Sequence, residues 1–182
     1  MRALKNNSVA ILVDIQERLV PAMNEGAEVV TNSANFIRGL HILEIPIIAA
    51  RQYPKGLGEL VKPIREALGE HETFDKGCFS VYDDKAAADK LHSLEKKHVF
   101  VFGIETHVCV LQTVIDLQSA GYQVHIVSDC CSSRKESDHQ MGMKRAMQEG
   151  ALITTREAAL FELLRASGGE QFKGISNLVK EL

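Results

Sequence analysis

The feature that most constrains this chain is an alternation. Short apolar runs, several of them nearly continuous in Val, Ile and Phe, are separated along the whole length by longer amphipathic stretches. The runs are VAILVDI (Val9 to Ile15), IPIIAAR (Ile45 to Arg51), a weaker ETFDKG (Glu72 to Gly77), HVFVFGI (His98 to Ile104), QVHIVSD (Gln123 to Asp129) and ALITT (Ala151 to Thr155). A strand that is apolar without alternation has both faces covered. The intervening stretches carry helical spacing and helix stops, as in Val110, Val114, Leu117 and Gly121, or Met143, Met147 and Gly150. This order predicts an α/β fold of three layers, α-β-α, with a doubly wound, mostly parallel sheet and right-handed crossovers. In such folds ligands bind at the carboxyl ends of the strands.

Size and charge narrow the rest. A chain of 182 residues, 45% of them apolar, fits one domain spanning 1–182. Its 21 basic and 24 acidic residues are spread along the chain and leave a net charge of -3, so no basic field favours nucleic acid or a membrane surface as a partner. The opening MRALKNNSVAILVDIQERLV has an unbroken run of only five apolar residues before Asp14, too few for a signal peptide or a span, which points to a cytoplasmic protein. Cys78, Cys109, Cys130 and Cys131 form no C-x-x-C pair and read as free thiols in a reducing compartment, which makes the Asn6-Asn7-Ser8 triplet a chance match.

Three chemically capable residues fall near strand ends: Asp14 at the first run, Lys76 beside the third and Cys109 five residues past the fourth. Taken singly each has a bland explanation, since Asp caps turns, Lys is commonly solvated and Cys commonly packs. Together they make a site. If a helix starts at Thr106 or His107, Cys109 lies in its first turn, where unpaired amides and the positive helix end stabilise a thiolate and can hold an oxyanion. A carboxylate can take the thiol proton, and an ammonium can hold both charges. This arrangement predicts a Cys109 pKa well below the roughly 8.5 of free cysteine.

The stretches ILVDIQERL, FDKGCFSVYDD, FGIETHVCVLQTVIDLQSAGYQV and ALITTREAALFELL resemble the isochorismatase-like, nicotinamidase-related cysteine hydrolases over nearly the whole chain. The D-x-Q, K-x-x-F-S and G-I-E-T-H-V-C-V elements carry that family's triad, which implies Asp14, Lys76 and Cys109 here. The resemblance also implies a cis peptide between Ile104 and Glu105, and an oxyanion hole from the amides of Glu105 and Cys109. Nicotinamidases of this family bind a metal through an Asp and several His after the second strand. Here that stretch reads ARQYPKGLGEL, with neither residue type between Arg51 and Leu60, so no metal site and no cofactor are expected. His71, His92, His98, His107, His125 and His139 are scattered without an H-x-H pair. Isochorismatases proper lack the cysteine, so vinyl-ether hydrolysis is disfavoured. The resemblance is strongest to the YcaC-like, isochorismatase-domain-containing subgroup.

Secondary candidates surround the triad. Gln16 reads as orienting the Asp14 loop or donating to substrate, Gln52 and Tyr53 as pocket residues at the end of the second strand, and His107 as lining the pocket two residues before the cysteine. Cys78 reads as packing, and Cys130-Cys131 as packing where the chain turns after the fifth strand. Phe172, Ile175, Leu178, Val179 and Leu182 share one face of a terminal helix that either docks on its own chain or covers a neighbour, and the family resemblance favours a homo-oligomer. The resulting expectation is a cysteine hydrolase acting on non-peptide C–N bonds of a small amide, or on a related acyl compound, through a thioester. The alternative is a weakly active oligomeric binding or thiol-sensing module. Ribonuclease chemistry, attributed to relatives, ranks third given the acidic balance.

Overall fold

The computed structural model describes residues 2–180. Its centre is a six-stranded, all-parallel sheet in the order β3-β2-β1-β4-β5-β6. The strands are β1 (Ser8–Val13), β2 (Ile47–Gln52), β3 (Thr73–Lys76), β4 (His98–Ile104), β5 (Gln123–Ser132) and β6 (Leu152–Thr154). Every residue of β1 and β4 is buried, which is why their sequences show no polar alternation. The helices are α1 (Gly26–Ile42), α2 (Pro54–Leu57), α3 (Lys62–Leu68), α4 (Lys85–Ser93), α5 (Leu111–Ser119), α6 (Glu136–Gln148), α7 (Arg156–Leu164) and α8 (Gly169–Lys180). One layer joins α1 to α3, α7 and α8, and α5 packs on α6 in the other. Side chains that start two of these helices are caps: Asp84 accepts from Ala87 N–H, and Thr155 from Ala158 N–H.

Strand order reverses between β1 and β4, and there the two backbones come unusually close. Gly103, with φ +128°, lies beside Val13 in register, and a Cβ at position 103 would sit 2.0 Å from the Val13 carbonyl oxygen. Only glycine fits this position. One register step further, the β4–β5 ladder shifts between Val101 and Gly103, so that Gly103 faces Cys131 and Ile104 faces Ser132. The shift carries β5 beyond Asp129, where the sequence reading ended it. Cys130 and Cys131 are therefore buried strand residues rather than part of a turn.

The terminal amphipathic helix docks on its own chain. Ile175 and Leu178 of α8 are buried, Asn35 of α1 donates from Nδ2 to the Leu178 carbonyl at 3.1 Å, and Gln171 donates to the Ile42 carbonyl at 2.9 Å. Leu182 lies outside the described residues. Across the sheet, Phe36 of α1 meets Phe102 of β4 edge to face, with centroids 5.2 Å apart.

Candidate active site

The carboxyl ends of four adjacent strands supply the site. Asp14 follows β1 with φ +52°, Gln52 ends β2, Lys76 ends β3, and Glu105 follows β4. A cis peptide joins Ile104 to Glu105. The chain then makes one π-helical turn, Thr106–Val110, before α5, so Cys109 sits in a wide turn at the helix entrance. Thr113 anchors that turn, because its hydroxyl donates to the Cys109 carbonyl at 2.7 Å and accepts from the Val81 N–H at 2.9 Å. This ties the segment after β3 to the segment after β4. A Thr four residues past a helical Cys fits back-bonding of this kind, but nothing in the sequence names Val81 as its second partner.

Asp14 and Lys76 are completely enclosed and form an ion pair, Nζ to Oδ2, of 2.6 Å. The ammonium has three donors, and three acceptors meet it: Asp14 Oδ2, Gln52 Oε1 at 2.7 Å and the Cys78 carbonyl at 3.3 Å. Lys76 is thus fixed on all sides. The other carboxylate oxygen, Asp14 Oδ1, has no hydrogen-bond partner, a costly condition for a buried acceptor. Burial pushes the Asp14 carboxyl above its ordinary pKa, while the charge and hydrogen bond of Lys76 pull it back. The Cys109 thiol is near enough for each group to shift the other.

The lowered thiol pKa read from the sequence is overturned. Cys109 is 8% exposed, and its pKa is pushed up to about 12, first by burial and then by the negative charge of Asp14; the opposing pull of Lys76 is smaller. Cys109 does lie in the turn that opens the helix after β4, but desolvation of a thiolate outweighs what that turn offers. Cys109 therefore rests as a thiol beside a carboxylate of raised proton affinity.

The secondary candidates take distinct places. Gln16 is buried and held by main chain: Nε2 donates to the Gln52 carbonyl at 3.0 Å and the Gly58 carbonyl at 2.8 Å, and Oε1 accepts from the Gln52 N–H at 2.7 Å. Both amide donors are used, so of its two sequence readings the geometry favours orientation over donation to substrate. Gln52 turns Oε1 to Lys76 and Nε2 to the Gly77 carbonyl at 3.2 Å. Its hydrogen bonds face the ammonium, which is a different task from lining a pocket. Tyr53 is open to solvent, as is Phe79 near Lys76. His107 is half-buried, with Nδ1 2.9 Å from Ser133 Oγ, and His139 Nδ1 lies 2.9 Å from Thr106 Oγ1. These two contacts brace the turn that holds Cys109 against β5 and α6, and they depend on tertiary register that sequence spacing does not reveal. Glu105 turns its carboxylate away to Arg134, at 3.0 Å. Among the described residues, no three His, Cys, Asp or Glu side chains group in a way that could hold a metal ion.

The site lies where the strand order of a doubly wound, all-parallel sheet reverses, and comparison with known proteins shows which family has this arrangement. Residues 8–158 match the family described as Isochorismatase domain. The chain belongs to the isochorismatase family. Isochorismatase domain-containing protein 1 of Danio rerio is 36% identical over 173 residues, which is 95% of this chain and 61% of the fish protein; the chain spans less than two thirds of that relative. A structure described as the MAR1 ribonuclease from Caenorhabditis elegans is 38% identical with a TM-score of 0.93, covering 99% of this chain and 93% of that one. The YcaC gene product from Escherichia coli, described as an octameric hydrolase of unknown specificity, shares the fold with a TM-score of 0.92 at 22% identity, covering 98% and 89% of the two chains.

Proposed function

We propose that this chain is a cysteine hydrolase that cleaves a non-peptide C–N bond in a small amide, or a related acyl bond, with Asp14, Lys76 and Cys109 as its triad. The observation that carries the reading is the unpartnered Asp14 Oδ1 within a carboxylate whose other oxygen is locked to Lys76. One oxygen holds the cation, and the other is left to take a proton. Asp14 Oδ1 accepts the Cys109 proton as the sulfur attacks the substrate carbonyl carbon, and the amides of Glu105 and Cys109 receive the developing oxyanion. Collapse of the tetrahedral adduct expels the amine, which takes the proton from Asp14. Water, deprotonated by Asp14, then cleaves the thioester and regenerates the thiol. Lys76 stabilises the carboxylate throughout, and Gln52 and Gln16 hold Lys76 and the end of β2 in place. No step requires a cofactor.

The same reading treats residues 1–182 as one cytoplasmic catalytic domain working as a homo-oligomer, in keeping with four free cysteines and with the assembly described for the E. coli relative. Among the described residues no helix is long and apolar enough to cross a membrane. The description of the C. elegans relative puts RNA among the compounds to assay, although a net charge of -3 argues against strong phosphate binding. The test is a library of small amides and esters, with RNA as a separate arm, followed by turnover and by intact mass. An acyl adduct on the wild type that is absent from Cys109→Ala, together with amine release, supports the hydrolase. Alkylation of Cys109 without any adduct or turnover across the library instead supports a binding or thiol-sensing module.

A further inference from the structure

The amphipathic face most visible in the sequence, that of α8, is spent on its own chain. A different surface remains open. A cleft of about 340 Å³ lies along α6 beside the start of α5, lined by His107, Leu111, Asp138, Met141, Arg145 and Gln148. Met141, at 62% exposure, is as open to solvent as any large apolar side chain among the described residues. Asp138, Met141, Arg145 and Gln148 follow one another at helical spacing and form a single stripe along α6. The cleft is shallow because Gly142 lets α6 press on the turn below, where a Cβ would come 3.0 Å from His107 Cα.

We propose that this stripe is a self-association surface and that its occupant is a second copy of the chain, with the two α6 helices antiparallel about a two-fold axis beside Met141. The proposal rests on the homo-oligomer reading given above and assigns it a surface. Charge selects both the occupant and its direction. Asp138 and Arg145 flank Met141 and stand about 10.5 Å apart along the helix. Antiparallel packing centred between Met141 and Gly142 sets Asp138 of each copy opposite Arg145 of the other and brings the two Met141 side chains together over Leu111. Parallel packing would instead oppose Asp138 to Asp138 and Arg145 to Arg145. A two-fold contact must be complementary to itself, and this stripe is. Arg145 already donates from Nε to Glu149 at 2.6 Å, and its remaining guanidinium N–H groups can serve Asp138 of the second copy. An unbranched Met adapts to its own copy across an axis. The seated copy covers the outer side of His107, two residues from Cys109, and so walls the turn that carries the thiol.

The test is analytical ultracentrifugation of the full chain across micromolar concentrations, with circular dichroism confirming that each variant is folded. Asp138→Arg alone and Arg145→Asp alone should each raise the dissociation constant at least about tenfold, through like charges facing across the axis. The double variant should return to within about threefold of wild type, because the pair is restored with its signs exchanged. Met141→Lys should weaken association in either background. Unchanged association in both single variants, or a double variant no better than either single one, overturns this surface while leaving the homo-oligomer reading in place. A wild-type chain that sediments at 20.1 kDa throughout overturns both.

Discussion

The two ends of the sheet each bury a polar pair, and the pairs behave in opposite ways. At the carboxyl end, Lys76 and Asp14 form an ion pair, and one carboxyl oxygen of Asp14 has no partner. At the amino end, His98 on β4 and His125 on β5 lie 3.0 Å apart, Nδ1 to Nε2, and satisfy each other as donor and acceptor. His125 also stacks on Phe100, with centroids 4.6 Å apart and planes 17° apart. Burial lowers the pKa of both imidazoles, that of His125 to about 4, with His98 adding to the depression and Glu162 opposing it. The difference lies in what remains unmade. A neutral pair joined by its own hydrogen bond rigidifies a core, whereas an ion pair with a spare buried acceptor keeps an oxygen in reserve.

The sharpest break in that comparison is Cys109→Ala. It should reduce turnover by more than about 10³-fold while leaving the fold intact, as loss of a nucleophile does. On the wild type, iodoacetamide labelling of Cys109 read by peptide mass should be slow at pH 7 and still rising past about pH 9. Rapid labelling at neutral pH would show that the thiolate is favoured in the resting enzyme after all.

Next in size is Lys76→Met, which strands the Asp14 charge and should cost about 3–5 kcal/mol in urea unfolding. Adding Asp14→Asn removes the stranded charge and should recover most of the stability but none of the activity. A single variant as stable as wild type would show that Lys76 is not what compensates the buried Asp14 carboxylate.

The histidine pair should respond to pH. A lowered folded pKa means that the unfolded chain binds more protons between the two values, so stability falls as pH drops from about 6.5 towards about 4, by up to about 3 kcal/mol for His125. Urea midpoints at pH 7 and pH 4 should show this slope, and His98→Leu with His125→Phe should flatten it. The smallest effect is expected from Arg134→Ala. This exposed partner of Glu105 should contribute no more than about 0.5 kcal/mol, and its loss should leave both ends of the sheet unchanged.

Much of this contrast could be anticipated from one end only. Asp14, Lys76 and Cys109 sit beside apolar runs that mark strand ends, so the sheet brings them together by topology alone. β1, β2, β4 and β5 were legible because strands covered on both faces leave unbroken apolar runs, whereas β3 and β6, short and at the edges, left weaker ones. The His98–His125 pair was invisible because it depends on register between strands, with 27 residues separating its members. The same holds for His107 with Ser133 and for Thr106 with His139. The clamp of Gln16 on β2 is half visible in the sequence: the D-x-Q element singles out the residue, but its partners are main-chain atoms that no side-chain pattern encodes. The thiol's raised pKa escaped because burial is a property of the assembled fold and outweighs the local turn.

Gly103 carries a consequence for how the site tolerates change. It lies one residue before Ile104 on the strand leading to Cys109, and it faces Val13, the residue before Asp14. The separation of Asp14 and Cys109 is therefore gauged by main chain touching main chain, with no side chain between to be trimmed or repacked. Substitutions elsewhere in the core can be absorbed by neighbours shifting their rotamers. At this seam even one added methyl must prise the two strands apart, and the first thing it would open is the gap between the Asp14 carboxyl and the Cys109 thiol.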